Sequence, residues 1–311
     1  MGSPQRGLDG VIVVDKPAGM TSHDVVAAVR RAVGGPRRGR AATKVGHAGT
    51  LDPDATGVLV VCLGRATRLV PYIQASAKTY DARLRLGATT DTLDASGTVL
   101  EQRDASAVNE ATLCEAFKAF VGEIRQIPPM VSALKVGGER LHVKARRGEQ
   151  VARDARPVTI NDIVLEDFDP GPEAEAGFLV RCSAGTYIRT LAADVGERLG
   201  VGAHLVALRR LGSGRFSLDD AVDLDKVADL ASAGRLAEAL VTPAAAMADY
   251  PAVVVDESQA RSIGHGRPLP ATGHGGPVAV LDGQRRLLAV VHDDDGMARP
   301  TVVLAPAGAG E

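Results

Sequence analysis

Cysteine and aromatic residues are scarce in this chain, and tryptophan is absent. The three cysteines among 311 residues form no Cys-x-x-Cys pair, which argues against a disulfide framework and against a zinc site. The longest apolar run covers residues 58–63, far short of the roughly 18 residues that a membrane-spanning helix needs. The first residues carry no hydrophobic stretch of the kind found in signal peptides. We therefore expect a cytoplasmic protein with no membrane association.

The remaining composition is that of a globular chain. Hydrophobic residues make up 45% of the sequence and charged residues 24%, which excludes a disordered polar polymer. A length of 311 residues predicts two domains at about 150 residues each, enough to bury an apolar core without a metal.

Charge is segregated along the chain, although the net charge is only −2. Residues 28–68 carry eight basic and two acidic side chains, and residues 135–156 carry seven basic and three acidic ones. Residues 249–311 carry five basic and eight acidic side chains. This pattern suits a polyanionic partner that touches part of the protein, and solvated surface charge explains it equally well.

Hydrophobic periodicity predicts a mixed set of elements. Residues 10–14 predict a buried strand, and Thr21 with Asp24 forms a capping box before a helix that ends at Gly34. Apolar and polar residues alternate from Tyr80 onward, which predicts a strand with one solvent-facing side. That side carries Arg83 and Arg85 and is therefore basic.

Two further helices and a strand follow. Asn109 caps a predicted helix whose apolar stripe is Leu113, Phe117, Phe120 and Val121. Residues 177–182 predict a strand, and residues 191–199 a helix closed by Gly200. Beyond residue 244 the short strands at 252–255, 278–281, 287–292 and 301–304 predict a small β-rich domain.

The segment GHAGTLDPDATGVL, residues 46–59, brackets Asp52 with glycines and Pro53. Such constraint presents the carboxylate on a rigid turn facing a cleft, and an Asx turn before Pro53 is the alternative explanation. His47 and Asp52 have no further metal-ligand residue at a suitable spacing, and the chain lacks a phosphate loop, a dinucleotide fingerprint and a serine elbow.

Five blocks in this sequence resemble the TruB family of tRNA pseudouridine synthases. In chain order they are DKPAGMTSHDVV, GHAGTLDPDATGVLVVCLGRATR, KTYDARLRLGATTDTLDASG, QIPPMVSALKVGGERLHVKARRG and CSAGTYIRTLAADVGERLG. They lie within residues 10–214, about two thirds of the chain. Several long motifs in family order make a chance match remote.

The resemblance implies a fold, a reaction and a domain organisation. The fold is of the α/β (α+β) class: a pseudouridine synthase fold with a mixed, mainly antiparallel sheet flanked by helices, followed by a small β-rich PUA-like domain. The catalytic domain would cover residues 1–245, with an RNA-binding insertion at 127–148, and the PUA-like domain residues 246–311. The reaction detaches the T-loop uridine at position 55 of tRNA from its ribose at N1 and rejoins it through C5, without a cofactor or a metal.

The resemblance also implies three catalytic residues. Asp52 matches the family nucleophile, for which attack on the ribose and attack on the base are both open. Arg189 matches the arginine that pairs with it, and a cation in the first turn of a helix independently calls for an anionic partner. Tyr80 matches the tyrosine that stacks on the target base and removes the C5 proton; an ordinary strand aromatic is the alternative.

Substrate-binding residues follow in the same way. His47 matches a position that holds the extruded nucleotide, and Tyr187 an aromatic that positions Asp52 and Arg189, with core packing as the alternative. Leu208, together with Ile188, matches an apolar wall that excludes water. Lys16 belongs to the family's Lys-Pro motif beside the pocket.

Phosphate contacts are expected from basic side chains in two loops: Arg37, Arg38, Arg40, Lys135, Lys144, Arg146 and Arg147. Gly137 and Gly138 are compatible with a moving lid over the RNA. His142 stands where the family usually has a tyrosine, the basic stretch 36–44 is longer than expected, and the acidic C-terminal balance departs from an RNA-binding domain.

The sequence therefore predicts a monomeric tRNA pseudouridine(55) synthase, an isomerase whose partner is the T-arm of tRNA. A tRNA-folding chaperone, for which modification is secondary or absent, is the alternative from another class. A glycosidase-like hydrolase would need paired carboxylates, and Asp54 is only a loop neighbour of Asp52.

Overall fold

The computed structural model describes residues 8–34, 43–132, 134–141, 144, 147–149 and 151–304. Its contacts divide the chain into two compact units. The first unit comprises the described residues of Met1–Leu51, Val58–Gln74 and Ser213–Glu311. The second comprises those of Asp52–Gly57 and Ala75–Gly212. The predicted domain boundary near residue 245 stays a prediction.

The strands, numbered in chain order, are β1 Gly10–Lys16, β2 Val45–His47, β3 Thr56–Leu63, β4 Lys78–Leu86, β5 Ala88–Thr90, β6 Val99–Gln102, β7 Gly122–Gln126, β8 Lys135–Val136, β9 Glu139–Arg140, β10 Arg156–Asp169, β11 Glu175–Cys182, β12 Ala203–Ser213, β13 Phe216–Ser217, β14 Ala252–Val254, β15 Leu269–Pro270, β16 Val278–Leu281, β17 Leu287–Asp294 and β18 Met297–Val303. The helices are α1 Ser22–Ala32, α2 Val70–Ala75, α3 Glu110–Lys118, α4 Ile188–Arg198, α5 Leu224–Ser232, α6 Pro243–Ala246 and α7 Glu257–Gly264, and short 3₁₀ turns cover Gly64–Leu69, Leu218–Asp220 and Leu236–Ala239. Within the described residues, no helix is long and apolar enough to cross a membrane.

The first unit begins with a buried strand and a capped helix. Strand β1 lies beside β3, and β2 pairs with β3 in antiparallel register. Helix α1 starts where the sequence predicts, because the Thr21 side chain accepts from the backbone N–H of Asp24 while the Asp24 carboxylate accepts from the N–H of Thr21. The capping box and the buried valines of α1 confirm this part of the sequence analysis.

The same unit contains the C-terminal sheet, ordered β14-β16-β17-β18-β15. Its central strands are buried on both faces. Leu281 and Val290 pack in one cluster with Val11 and Val58, whereas Val280 and Val291 pack in a second cluster with the helix α7 residue Ile263. Strands buried on two faces read as continuous apolar runs, which is why the sequence predicts them clearly.

The second unit is built on the strand order β12-β4-β11-β10-β7. Strands β4, β11, β10 and β7 pair in antiparallel fashion, and the start of β3 pairs in parallel with β12. On β4 the buried face begins with Lys78 and Tyr80 and continues with Ala82, Leu84 and Leu86. This mixed, mainly antiparallel sheet, with its helices and the separate C-terminal sheet, confirms the predicted fold class.

One local prediction was wrong. Helix α3 is capped by Asn109 as predicted but ends at Lys118, so Phe120 and Val121 lie beyond its last turn and Val121 is exposed. The apolar stripe is therefore restricted to Leu113 and Phe117 among the four predicted residues.

The solvent-facing side of β4 carries Arg83 and Arg85 as predicted, and both arginines are paired with acidic side chains. Arg83 donates to Asp167, and Arg85 donates to Glu175 at 2.7 Å. Both acidic residues lie on neighbouring strands of the hairpin β10–β11, whose pairing a period-two analysis of one strand does not reveal.

Candidate active site

Asp52 lies in the loop between β2 and β3. The residue before it, Leu51, is buried, and its backbone is fixed on both sides by one hydroxyl: Ser22 Oγ accepts from the Leu51 N–H at 2.9 Å and donates to the Leu51 carbonyl at 3.0 Å. The Asp52 side chain remains 42% exposed. A carboxylate anchored through its neighbour and open to solvent is accessible to a bound molecule.

Arg189 is the second residue of helix α4 and is only 5% exposed. Its Nε lies 3.1 Å from Asp52 Oδ2, and its Nη2 donates to Asp52 Oδ1 at 3.3 Å. This side-on, two-point contact fixes both carboxylate oxygens at once. Near a helix N-terminus a buried cation needs such anionic partners.

Asp94 supplies a second carboxylate to the same guanidinium. Its Oδ2 lies 3.0 Å from Arg189 Nη1, which also donates to the carbonyl of Thr92 at 3.2 Å. Burial acts to raise the pKa of Asp94, but hydrogen bonds from Ser96 and Thr92 and the Arg189 charge outweigh it and hold the pKa below its ordinary value. Asp94 is therefore ionised at neutral pH. Together with Val131, whose carbonyl accepts from Nη2 at 2.8 Å, it locks the arginine in one orientation.

Tyr80 lies on the buried face of β4 and is 8% exposed. Burial raises the pKa of its phenol, and the negative charge of Asp52 acts in the same direction. The Arg210 side chain on β12 hydrogen-bonds to the phenol and opposes this effect. Asp52 is therefore within electrostatic reach of Tyr80 in the second unit, and Arg189 contacts Asp52 directly.

Tyr187 is the residue that precedes helix α4. Its backbone N–H donates to the Gln126 side chain at 3.0 Å, and the Gln126 amide donates back to the Tyr187 carbonyl at 3.3 Å. This clamp ties the start of α4 to strand β7. Ile188 is buried and Leu208 half-buried, and their role as apolar walls stays a prediction.

His47 and Lys16 belong to the first unit. The His47 ring packs edge-on against His23, with ring centroids 5.2 Å apart. Lys16 is fully buried, and its amine donates to the carbonyls of Pro17 at 2.8 Å and Met20 at 2.6 Å. The geometry around Lys16 is that of a side chain which fixes a turn, and its substrate contact stays a prediction.

The basic side chains predicted to contact phosphate fall into two groups, those outside the described residues and those within them. Arg37, Arg38, Arg40, Arg146 and the departure at His142 lie outside the described residues. Lys135 lies in β8, and Lys144 is half-buried. Arg147 bridges Glu139 at 2.6 Å and Glu149 at 2.7 Å, and these acidic partners raise its pKa. An arginine shared between two carboxylates is a weaker phosphate ligand than a free one.

Gly137 and Gly138 form the two-residue turn of the hairpin β8–β9, with φ angles of 63° and 85°. Positive φ at both central residues defines the turn type that suits a tight hairpin, and glycine adopts it without strain. The pair is therefore accounted for by the turn itself, and the lid motion stays a prediction.

Sequence reasoning missed four residues that shape this region: Ser22, Asp94, Gln126 and Arg210. Asp94 sits in TLDASG, which reads as a turn because its side chain accepts from Ser96 and Thr92. For Gln126 the available signal is a glutamine within a strand pattern, since such a group is rarely buried without a polar partner. Ser22, in a helix, and Arg210, one of two adjacent arginines, carry no such signal.

Comparison with protein families covers most of the chain. Residues 37–188 match the TruB family pseudouridylate synthase (N terminal domain). Residues 189–247 match the tRNA pseudouridylate synthase B C-terminal domain, and residues 250–305 match tRNA pseudouridine synthase II, C terminal.

Curated relatives are similar over most of their length. The tRNA pseudouridine synthase B of Thermobifida fusca (strain YX) is 45% identical over 302 residues, which cover 96% of this chain and 99% of that protein. The tRNA pseudouridine synthase B of Symbiobacterium thermophilum is 49% identical over 259 residues, covering 83% of this chain and 82% of that protein.

Solved structures agree with these relatives. A chain in a Cbf5–Nop10–Gar1 complex aligns with a TM-score of 0.73 at 26% identity, covering 99% of this chain and 92% of that one. A chain in an H/ACA ribonucleoprotein bound to a substrate RNA containing 2'-deoxyuridine aligns with the same TM-score and identity, over 96% of this chain and 86% of that one. The resemblance seen in the sequence is confirmed: this chain belongs to the TruB family of pseudouridylate synthases.

Proposed function

We propose that this chain is an isomerase that converts the uridine at position 55 in the T-loop of tRNA to pseudouridine, with Asp52 as the nucleophile and no cofactor. The observation that carries the proposal is the two-point pair between Asp52 and Arg189, within electrostatic reach of Tyr80. The curated relatives bear the name tRNA pseudouridine synthase B, which agrees with this chemistry.

The nucleophile must be ionised and aimed. The guanidinium of Arg189 at 3.1 Å stabilises the carboxylate form of Asp52, and Asp94 with Val131 keeps that guanidinium in place. Attack on the anomeric carbon and attack on the base are both open to this carboxylate. In either route the N1–C1′ bond breaks, the base turns within the site, and a C5–C1′ bond forms before C5 loses its proton.

Tyr80 is the proposed acceptor of the C5 proton and the platform on which the base stacks. Its ring lies on a strand of the central sheet, a rigid support. The buried phenol titrates above its ordinary range, so at neutral pH only a small fraction is ionised. The proton transfer therefore depends on groups that favour the phenolate.

Access to the base requires extrusion from the T-loop, which costs a few kcal/mol that phosphate contacts and the pocket offset. We assign His47, Tyr187 and Leu208 to holding the extruded nucleotide. The phosphate contacts are assigned to Lys135, Lys144 and Arg146 of the insertion. Because Arg147 forms ion pairs with Glu139 and Glu149, we expect it to contribute less than these lysines and Arg146 to phosphate binding.

The decisive experiment incubates the purified protein with an unmodified tRNA transcript and maps pseudouridine by carbodiimide labelling. We expect one new site, in the T-loop, with wild-type protein and none with Asp52→Asn. Asp54→Asn is the matched control, because it removes an exposed carboxylate two residues away in the same loop. Modification by Asp52→Asn at the wild-type rate contradicts the nucleophile assignment, and a site elsewhere in the tRNA contradicts the substrate.

The same variants separate the proposal from the chaperone alternative. Refolding of misfolded tRNA by wild-type protein without any pseudouridine would favour the chaperone. The proposal also treats the protein as a cytoplasmic monomer that binds one tRNA. Sedimentation of the protein with and without tRNA tests that stoichiometry, and a complex containing two protein chains contradicts it.

A further inference from the structure

Four polar side chains lie together on the buried face of the second unit's sheet. Lys78 and Tyr80 come from β4, Cys182 from β11 and Arg210 from β12, the two strands that flank β4. Lys78 and Cys182 are register partners, and Arg210 is 1% exposed. Burial of so many polar groups is unfavourable unless they interact, so the cluster calls for an explanation beyond packing.

Arg210 hydrogen-bonds to the phenol of Tyr80. A guanidinium has only donors, so the Tyr80 oxygen is the acceptor in this contact. The contact therefore places a buried cation beside the phenol oxygen.

The backbone of Arg210 is held against the segment that follows Asp52. Arg210 pairs with Gly57 in the parallel contact between β12 and β3. Gly57 has a φ of +97°, and a Cβ atom placed there would lie 2.2 Å from the Arg210 carbonyl oxygen. Only glycine allows this approach, and it ties the position of Arg210 to the loop that carries the nucleophile.

The charged and titratable groups facing Tyr80 act in opposite directions. Burial raises the pKa of Tyr80, Cys182 and Asp52 add to the increase, and Arg210 lowers it. Burial, followed by repulsion from Arg210, lowers the pKa of Lys78 to about 8. Because an arginine stays protonated throughout this range, Arg210 is the permanent cation of the cluster.

We propose that Arg210 is a positioning residue for proton removal from C5, acting through Tyr80. It holds the Tyr80 oxygen by a hydrogen bond and stabilises the phenolate that accepts the proton; this inference rests on the proposed function. Tyr80 first releases its own proton to solvent. Its oxygen then forms an O–H bond to the hydrogen of C5 while the C5–H bond breaks, and the electron pair of that bond returns to the uracil ring. Arg210 keeps all of its protons.

The first test measures the ionisation of Tyr80 directly. The chain has four tyrosines, so 3-fluorotyrosine labelling gives four ¹⁹F signals, and Tyr80→Phe assigns one of them. In Arg210→Gln we expect the Tyr80 midpoint to rise by about one pH unit or more, and in Arg210→Lys by less. Arg209→Gln, which removes a charge from the adjacent half-buried position, should leave the midpoint within about 0.2 units. An unchanged midpoint in Arg210→Gln overturns the inference.

The second test uses rates. In single-turnover assays on a T-arm RNA, Arg210→Gln should lower the rate about 10- to 100-fold and move the rising limb of the pH–rate profile to higher pH. The Kd for the RNA should stay within about threefold, and Arg210→Lys should recover part of the rate. A rate and profile equal to wild type reject the role of Arg210 even if Tyr80 titrates differently.

A third measurement covers the case in which Arg210→Gln does not fold. In wild-type protein the guanidinium NMR signal of Arg210 should shift with a midpoint equal to that of Tyr80, and this shift should vanish in Tyr80→Phe. Absence of the shift in wild type overturns the inference without any change at position 210.

The outcomes also separate this inference from the proposed function. If wild-type protein forms no pseudouridine, the proposed function fails, and the Tyr80 titration still reports on the contact. If wild-type protein forms pseudouridine and Arg210→Gln forms it equally fast, only the inference fails.

Discussion

The two sides of the candidate site hold their charges in different ways. Asp52 and Asp94 share one buried arginine, Arg189, and the Asp52 carboxylate stays 42% exposed. Around Tyr80 the polar groups are buried, and the neighbours include two cations, Lys78 and Arg210. The first side is a network of ion pairs around one buried guanidinium. The second is a buried cluster in which small changes of environment move pKa values.

The contrast matches the two tasks of the proposed reaction. A nucleophile needs a constant negative charge and access to the substrate, which pairing with a fixed arginine provides. A group that takes up a proton needs an ionisation equilibrium that its surroundings can adjust, which burial beside cations provides. The following changes test each side of this comparison.

The largest effect is expected for Asp52→Asn. The amide cannot act as a nucleophile, so we expect pseudouridine formation to fall at least about 1,000-fold while the Kd for tRNA changes only several-fold. Tritium release from [5-³H]uridine-labelled tRNA and filter binding measure the two quantities. Equal losses in tRNA affinity and in rate would mean that Asp52 contributes to RNA binding and is not the nucleophile.

Tyr80→Phe removes the phenolic oxygen and keeps the ring. Because stacking survives and the proton acceptor does not, the single-turnover rate should fall about 100- to 1,000-fold with little change in Kd. Tyr187→Phe is the matched control on the other site tyrosine, with an expected loss of less than about tenfold. If Tyr80→Phe loses no more than Tyr187→Phe, the proton acceptor is another group.

Asp94→Asn tests the network through its second carboxylate. The amide can still accept from Arg189 but carries no charge, so the arginine is held less firmly against Asp52. We expect the rate to fall about 10- to 100-fold, because this factor corresponds to the free energy of one hydrogen bond to a charged group. Asp91→Asn is the control, since Asp91 bonds to the backbone of Thr98 in the same turn. Equal rates for Asp94→Asn and wild type would show that the charge of Asp94 is not needed to orient the arginine.

The smallest effect concerns stability. Lys78 has a pKa of about 8 in the folded protein, below its ordinary value of 10.5, so its protonated form destabilises the fold. This cost is fully present below pH 8 and disappears as the pH rises toward 10.5, because the unfolded chain binds the proton more tightly. We therefore expect the free energy of unfolding of Lys78→Met, relative to that of wild type, to be lower at pH 9 than at pH 7. Urea unfolding at the two pH values measures this difference. A pH-independent difference contradicts the shifted pKa.

Local signals in the sequence predicted much of the fold. The capping boxes at Thr21 and Asn109 and the alternation from Tyr80 fix elements by contacts between residues close in sequence. The end of α3 at Lys118 was missed, because two further apolar residues continue the helical spacing although the chain has left the helix. Periodicity does not determine where tertiary packing stops a helix.

The site was predicted in part, and for two different reasons. Asp52, Arg189 and Tyr80 were found because long motifs resemble a known family. Asp94 was missed because its contact with Arg189 joins positions 95 residues apart, and the surrounding TLDASG predicts only a turn. Arg210 was missed because an arginine pair on a strand gives no sign of which one is buried. Such long-range polar contacts depend on the pairing of strands, which a single sequence does not specify.

The interior of the first unit is assembled from the two ends of the chain. Val11 and Val13 pack in the same cluster as Leu281 and Leu304, nearly the whole length of the polypeptide away. Because a ribosome releases the chain from its N-terminus, β1 emerges long before these partners exist, whereas the second unit is contained within residues 52–212 and is completed earlier. During translation, therefore, the face of the first strand that packs against the C-terminal sheet lacks part of its apolar cover until residue 304 has been made, and its protection from aggregation in that interval becomes a condition for reaching the native state.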